Sequence, residues 1–298
     1  MGSYHGVVED SEGLRLDKYI AETLGLLSRS QLKSRLVSAS VNGFEAKLSR
    51  LLHPGDDVCV EWTDEVDPGF VPEEIPLSVL YEDARSIVID KPQGMVVHPA
   101  RGNWRGTLAN ALLYRILQEH SGIPLSENAV PDRAGIVHRL DKDTSGVLIA
   151  AKDAEAQAFL STQFRNRKVF KEYLAITVRP PPTPSGRIEN TLGRDPGDRK
   201  RFAPVTRGGK IAVTDWKVLA AYGPYRVVAL RLHTGRTHQI RVHLKTLGCP
   251  ILGDPVYGRR DGRFPDATLM LHARRLRILL PGRSDPSLFS ARVPERAR

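Results

Sequence analysis

Two apolar stretches, Ile136-Val137-His138 and Val147–Ala151, bracket the polar run RLDKDTSG at positions 139–146. Short apolar runs of this kind predict buried strands, and the Asp, Lys, Thr, Ser and Gly residues between them predict a loop. Asp141 is therefore expected on a connection anchored at both ends in a core, where functional side chains are often carried. Asp143 stands two residues on, and a close carboxylate pair is suited to acid–base work. The alternative is structural: either side chain can bond its own loop backbone in an Asx turn.

A second segment, VVALRLHTGRTHQIRVHLKTLG at 227–248, reads as a strand, a tight loop and a helix. Thr237 is the expected N-cap, Ile240, Leu244 and Leu247 share one helical face, and Gly248 ends the helix. Arg241 then lies among apolar positions in the first turns. A guanidinium so placed is costly to bury without a carboxylate partner, and Asp141 is the expected one. Arg236, in the loop, is a candidate for phosphate. In KVFKEYLAITV, Leu174, Ile176 and Val178 alternate with Tyr173, Ala175 and Thr177 along a strand. Tyr173 offers a ring to stack on a base and a hydroxyl to handle a proton, or simply fills the core. His233, His238 and His243 recur every five residues, which is not the four-residue pairing of helical metal ligands, and no cysteine or acidic residue completes a set. No metal is expected. No phosphate-binding glycine loop, dinucleotide fingerprint or nucleophile elbow occurs, so no cofactor is expected either.

Charge divides the chain. Residues 1–70 carry 7 Lys/Arg against 12 Asp/Glu, whereas residues 71–298 carry 37 against 22. The larger part is the basic one and suits a polyanionic partner, because Lys and Arg displace counterions from phosphates. The acidic, proline-bearing stretch TDEVDPGFVPEEIP reads as a linker. The expected division is a small domain at 12–63, the linker at 64–76, a catalytic domain at 77–282 and a polar, frayed tail at 283–298. In the small domain, LRLDKYIAETLG places Leu16, Tyr19, Ile20 and Leu24 at helical spacing with Gly25 as a stop. SRSQLKSRLV predicts a second helix with Leu32, Leu36 and Val37 on one face and Arg29, Lys33 and Arg35 elsewhere. VNG predicts a turn and DDVCVEW a strand. These basic helix residues make either an RNA-docking surface or a solvated face. Leu108, Leu112 and Ile116 line one face of another expected helix, and Asp153 is the expected cap of a third. The start of the chain has no apolar signal core, no run is long enough to span a membrane, and Cys59 and Cys249 form no disulfide framework, so a cytoplasmic location is expected; a monomer is expected as well.

These segments together resemble one family. HRLDKDTSG resembles the catalytic loop of the RluA-type pseudouridine synthases, KEYLAIT the strand with their active-site tyrosine, and LHTGRTHQIRVHL the segment with their active-site arginine. YEDARSIVIDKPQGMVVHPARGN, GDPVYG and LHARRL resemble further family stretches, in the expected order over residues 76–281. RLDKYIAETLG, SRSQLKSRL and VNG resemble the alpha-L type RNA-binding domain that several members carry at the N-terminus. The resemblance implies an α+β fold with a mixed, mainly antiparallel bent sheet flanked by helices, plus the small α/β RNA-binding domain. It implies isomerisation of uridine to pseudouridine in structured RNA without cofactor or metal. Asp141 would be the catalytic carboxylate, Arg241 its ion-pair partner, Tyr173 the ring on the uracil, and Arg139 the residue filling the space of an extruded base. Ribosomal RNA of the large subunit is the favoured substrate class and transfer RNA the second. A non-catalytic RNA-binding or ribosome-assembly factor, and a nucleoside or glycoside hydrolase using Asp141 and Asp143, are the alternatives; tritium release and free uracil, respectively, discriminate them.

Overall fold

The structure, a computed structural model, describes residues 2–9, 13–27, 32, 36–63, 71–100, 103–119, 132–198 and 201–297. The chain divides into two units, Met1–Gly69 and Phe70–Arg298. Arg29, Lys33 and Arg35 lie outside the described residues.

The first unit contains β1 (Gly2–Val7), β2 (Leu14–Arg15), α1 (Leu16–Lys18), β3 (Leu36–Val41), β4 (Phe44–Glu45), β5 (Leu51–Leu52) and β6 (Asp57–Trp62). Four strands form a sheet in the order β1-β6-β3-β4, and β2 pairs with β5. The spacing of Leu16, Tyr19 and Ile20 does bury all three, but α1 widens at once into a π-helical turn, Tyr19–Thr23, closed by a Leu24 N–H to Tyr19 C=O bond of 2.9 Å. The helix expected through SRSQLKSRLV does not reach Leu36 and Val37. These residues open β3, because Val58 and Val60 of β6 bury their side chains only with a strand beside them, and Ala39 pairs with Val60 and Val41 with Val58. The VNG turn forms as read, with Asn42 and Gly43 both at positive φ, the geometry of a two-residue hairpin. The unit also starts earlier than residue 12, since β1 pairs along the whole of β6.

The second unit is built on ten strands: β7 (Val79–Glu82), β8 (Ser86–Lys91), β9 (Ser145–Ala151), β10 (Phe170–Thr177), β11 (Ser185–Arg194), β12 (Phe202–Pro204), β13 (Lys210–Tyr222), β14 (Tyr225–Leu232), β15 (Leu271–Leu279) and β16 (Pro286–Ser290). Their order is β12-β11-β13-β14-β10-β15-β9-β8-β7, with β16 also on β15. All pairings are antiparallel except β9 with β15, so the sheet is mixed and mainly antiparallel. Among the described residues, three α-helices accompany it: α2 (Leu108–Glu119), α3 (Ala154–Arg165) and α4 (Gln239–Thr246).

β9 is the hinge of this architecture. All seven of its residues are buried, because it is covered on both faces. Leu148 and Ala150 join the core that holds Leu108 and Leu112 of α2, while Val147 and Ile149 join the core that holds Ala156 and Leu160 of α3. Asp153 caps α3 by accepting the Ala156 N–H at 2.7 Å. β9 pairs with β15 at Ser145 and Gly146, opposite His272 and Ala273. Gly146 has φ +115, and a Cβ there would strike the Ala273 carbonyl, so glycine is required where the strands meet. The loop bearing Asp141 enters the sheet at this junction. The expected frayed tail is instead ordered through Ala297: β16 pairs with Arg275–Leu279, and Arg296 Nη2 donates to Ser145 Oγ at 2.6 Å. The apolar face of β16, with Phe289 buried, decides this despite the polar composition.

Candidate active site

Asp141 lies just before the turn that enters β9, its side chain about one-fifth exposed. The loop is pinned from behind. Lys91 is wholly buried at the end of β8, and its ammonium donates to the carbonyl oxygens of Pro92 and Met95 at 2.8 Å and of Lys142 at 3.1 Å. Burial pulls the Lys91 pKa down to about 8, against the opposing pull of the Asp143 and Asp141 charges. Gln93 donates to the Asp143 carbonyl at 2.9 Å and also to that of Leu269. Among the described residues, no backbone N–H bonds the Asp141 carboxylate; the loop closes instead through Thr144 N–H to the Asp141 carbonyl at 3.1 Å. The Asx-turn reading therefore does not account for Asp141. Asp143 does not line the cavity into which Asp141 opens.

That cavity is lined by Asp141, Arg139, Tyr173, Arg236, His238 and Arg241 with Leu232 and Leu271. A wider opening reaches Asp141 from the side of Val96–Ala100. Tyr173 comes from β10, paired with Leu230 and Ala273, and sits with its ring in the core. The buried face of β10 is thus the Tyr173–Ala175–Thr177 face. Burial first, and the Asp141 charge second, push the Tyr173 hydroxyl well above the usual phenol range, so it is a neutral donor at neutral pH.

Arg241 sits in the first turns of α4, as expected, but its partners differ from the expectation. Its Nε and Nη2 donate to the two Asp254 oxygens at 2.8 and 2.7 Å, while Nη1 lies 3.5 Å from Asp141 Oδ2. One guanidinium thus spans two carboxylates: the bidentate bond goes to the fully buried Asp254, and the longer contact to Asp141 in the cavity. Asp254 also accepts the N–H groups of Val256 at 2.9 Å and Tyr257 at 3.0 Å. Burial raises its pKa, yet the hydrogen bonds and charge of Arg241 outweigh this and hold it below the usual carboxylate range. The Arg241 guanidinium carbon stands 5.2 Å from the Tyr257 ring centroid.

The cap of α4 is also displaced from Thr237. His238 is the N-cap, at φ +56 with no side-chain cap bond. Its Nδ1 lies 2.9 Å from the Tyr257 hydroxyl and its Nε2 3.9 Å from Asp141 Oδ2. Asp254, Tyr257 and His238 do not stand out as site residues in the sequence. The available signal is GDPVYG, a short stretch carrying a carboxylate and a tyrosine that Arg241 needs. The other two histidines go elsewhere: His233 faces Asp215 at 2.7 Å, and the buried His243 lies between Thr214 Oγ1 and Asn190 Oδ1. Arg139 is exposed at the mouth, and Arg236 donates to the Ile211 carbonyl at 3.0 Å while lining the cavity.

The chain that carries this topology, with a partly exposed carboxylate against a buried arginine beside Tyr173, matches known proteins. The family model described as RNA pseudouridylate synthase matches residues 85–246, which include Asp141, Tyr173 and Arg241 but stop short of Asp254. The chain is 41% identical over 289 residues to "Ribosomal large subunit pseudouridine synthase D" of Borreliella burgdorferi, covering 95% of this chain and 87% of that protein. It is 41% identical over 299 residues to the protein of the same name from Nitrosomonas europaea, covering 97% and 84%. Among solved structures it resembles "Human RNA Pseudouridylate Synthase Domain Containing 4", with TM-score 0.58 and 29% identity over 74% of this chain and 90% of that one. The chain belongs to the RNA pseudouridylate synthase family, in its RluA type. It is an RNA pseudouridine synthase, and its reaction is the isomerisation of uridine in RNA.

Proposed function

We propose that the chain isomerises uridines in the RNA of the large ribosomal subunit, with Asp141 as its catalytic carboxylate. Relatives that match along nearly the whole chain carry that substrate in their names. The observation that supports the catalytic assignment is the ion pair at the cavity floor: Asp141 Oδ2 faces both solvent and the buried Arg241 guanidinium at 3.5 Å. Pseudouridine formation breaks N1–C1′, turns the uracil and joins C5 to C1′; the proton lost from C5 is balanced by one gained at N1. Two routes use the same carboxylate. Asp141 attacks C1′ and is later displaced, as in retaining glycosidases, or it takes the C2′ proton and leaves a glycal. Tyr173 stacks on the detached uracil, and its neutral hydroxyl donates to it. Arg139, at the mouth, fills the gap left when the target nucleotide is extruded, a step costing a few kcal/mol.

The first unit is read as an RNA-docking module of the alpha-L type, with Arg29, Lys33 and Arg35 as its contacts, and Arg236 as a backbone contact in the second unit. Among the described residues, no helix is long and apolar enough to cross a membrane, and the protein is read as a cytoplasmic monomer. Transfer RNA is the second substrate class, and pseudouridine mapping in cells lacking the protein separates the two. Asp141→Asn tests the assignment. It retains RNA binding and abolishes tritium release from 5-tritiated uridine in RNA; turnover at the wild-type rate removes Asp141 from the mechanism.

A further inference from the structure

Beside the Asp141 cavity lies a second recess, walled by the end of α3 and the turn after it, by the start of β10, and by residues 233–236. Arg165, Arg167, Lys171 and Arg236 line it, and no aspartate or glutamate does. Glu172, next to Lys171, reaches toward Arg275 at 3.4 Å. Asp215 is held by Arg187 at 2.6 Å and by His233 at 2.7 Å. Among the described residues, Arg165, Arg167 and Lys171 make no ion pair. The recess is therefore a concentration of positive charge that the protein leaves uncompensated.

Such an arrangement is costly. Burial, then the charges of Arg236 and Arg167, pull the half-buried Lys171 down to about 8, and no acidic group opposes them. Lys91 shows the contrast: its wholly buried ammonium has three carbonyl oxygens to bond. Lys171 lacks even these, so its natural partner is an anion from outside. The neighbouring walls are fixed and add no negative charge. His138 is stacked on Phe164 at 4.4 Å between centroids, and its Nε2 accepts the Ile149 N–H, so it is neutral. Burial pushes its pKa down to about 3. Arg167 stands in the left-handed region at φ +57, in a turn closed by its own N–H to the Phe164 carbonyl at 3.2 Å, and the backbone there sets where its side chain starts. Gly235 leaves bare backbone beside Lys171; a Cβ there would lie 3.7 Å from the ammonium.

The position of the recess identifies the anion. Arg139, Tyr173, Leu232, Gly235 and Arg236 line both it and the Asp141 cavity, so the two adjoin along a shared wall. A nucleotide whose base enters the first cavity carries its backbone past the second. We infer that this recess is a phosphodiester subsite, in which Lys171 and Arg167, flanked by Arg165 and Arg236, hold a backbone phosphate next to the reacting uridine. The inference rests on the reading of structured RNA as substrate, and it assigns Lys171 and Arg167 to binding rather than to chemistry.

The test pairs protein charge with phosphate charge. The RNA probe is a stem-loop containing a uridine that the wild-type protein converts, made in versions with one neutral methylphosphonate linkage at each position around that uridine. Equilibrium binding is measured for the full chain and for Lys171→Met and Arg167→Asn, asparagine tolerating the left-handed backbone. For wild type, one linkage near the target weakens binding by about tenfold, the scale of a charge-assisted hydrogen bond. In either variant the same linkage costs less than about twofold, and the plot of log affinity against log salt becomes shallower by about 0.7, the slope of one phosphate no longer neutralised. Arg167 is exposed, so its variant keeps the test valid if the Lys171 variant fails to fold. If every linkage costs the variants as much as it costs wild type, the subsite is overturned. A failure of the substrate reading shows separately, as absence of pseudouridine in any RNA treated with the wild-type protein.

Discussion

Asp254→Asn separates what holds the site together from what reacts in it. Arg241 and Asp254 have side chains 5% and 0% exposed, so neither charge can be solvated if the other is removed. Asparagine keeps the size of the side chain and one carbonyl oxygen, enough to accept the Val256 and Tyr257 N–H groups as Asp254 Oδ1 does. What it loses is the anion, and its amide turns a donor toward the donors of the guanidinium. Removing one partner of a buried pair costs about 3–5 kcal/mol. Asp141 at 3.5 Å and the Tyr257 face at 5.2 Å recover part of this, which favours the lower end. With a urea dependence of about 2–3 kcal/mol per molar, the denaturation midpoint falls by about 1–2 M. Activity falls too, by about 100-fold, the scale of a small displacement of a catalytic pair. The double variant Arg241→Met/Asp254→Leu carries no unpaired charge and is expected to be more stable than Asp254→Asn while remaining inactive. A midpoint shift below about 0.3 M in Asp254→Asn, or stabilities that simply add in the double variant, would refute the claim that Asp254 anchors the arginine.

The same pair predicts an acid limb. Asp254 is held below its unfolded value of about 3.9, so its contribution is present above that pH and is lost as pH falls through the folded value; the stability gap between wild type and Asp254→Asn therefore narrows below about pH 4 in urea titrations. Gly146→Ala meets both a forbidden φ and the Ala273 carbonyl, and is expected to destabilise by about 3 kcal/mol or more in thermal melts; a melting point equal to wild type would show that the β9–β15 junction gives way easily. Arg139→Ala is expected to slow conversion in folded RNA by about tenfold or more while sparing an unpaired substrate, since only the folded one must refill the vacated stack; equal losses on both would rule out that role.

Several of the residues that meet at the cavity stood out before the fold was known. The run RLDKDTSG between two apolar strands marks out Asp141 and Asp143, the family resemblance chooses Asp141, and the apolar neighbours of Arg241 on its helix point to a carboxylate partner. What the sequence could not say was which carboxylate. Asp254 lies 13 positions from Arg241 on a loop with no periodicity, and only the packing of that loop on α4 makes it the bidentate partner. Asp141, 100 positions away, receives the third nitrogen. Local pattern also misread Leu36 and Val37, whose strand conformation is imposed by β6, and the C-terminal residues, whose order comes from β15.

By itself the sequence determined composition-level and short-range properties: an acidic small module before a basic large one, helix faces, turns at Asn42-Gly43 and Gly248, and the types of side chain available for chemistry. Those depend on spacing and on conformational preferences within a few residues. The tertiary structure alone decided the meetings of distant residues: β9 between two cores, the uncompensated cations around Lys171, and one guanidinium shared by two carboxylates. Such meetings depend on how strands are ordered in a sheet, and no local preference encodes that order.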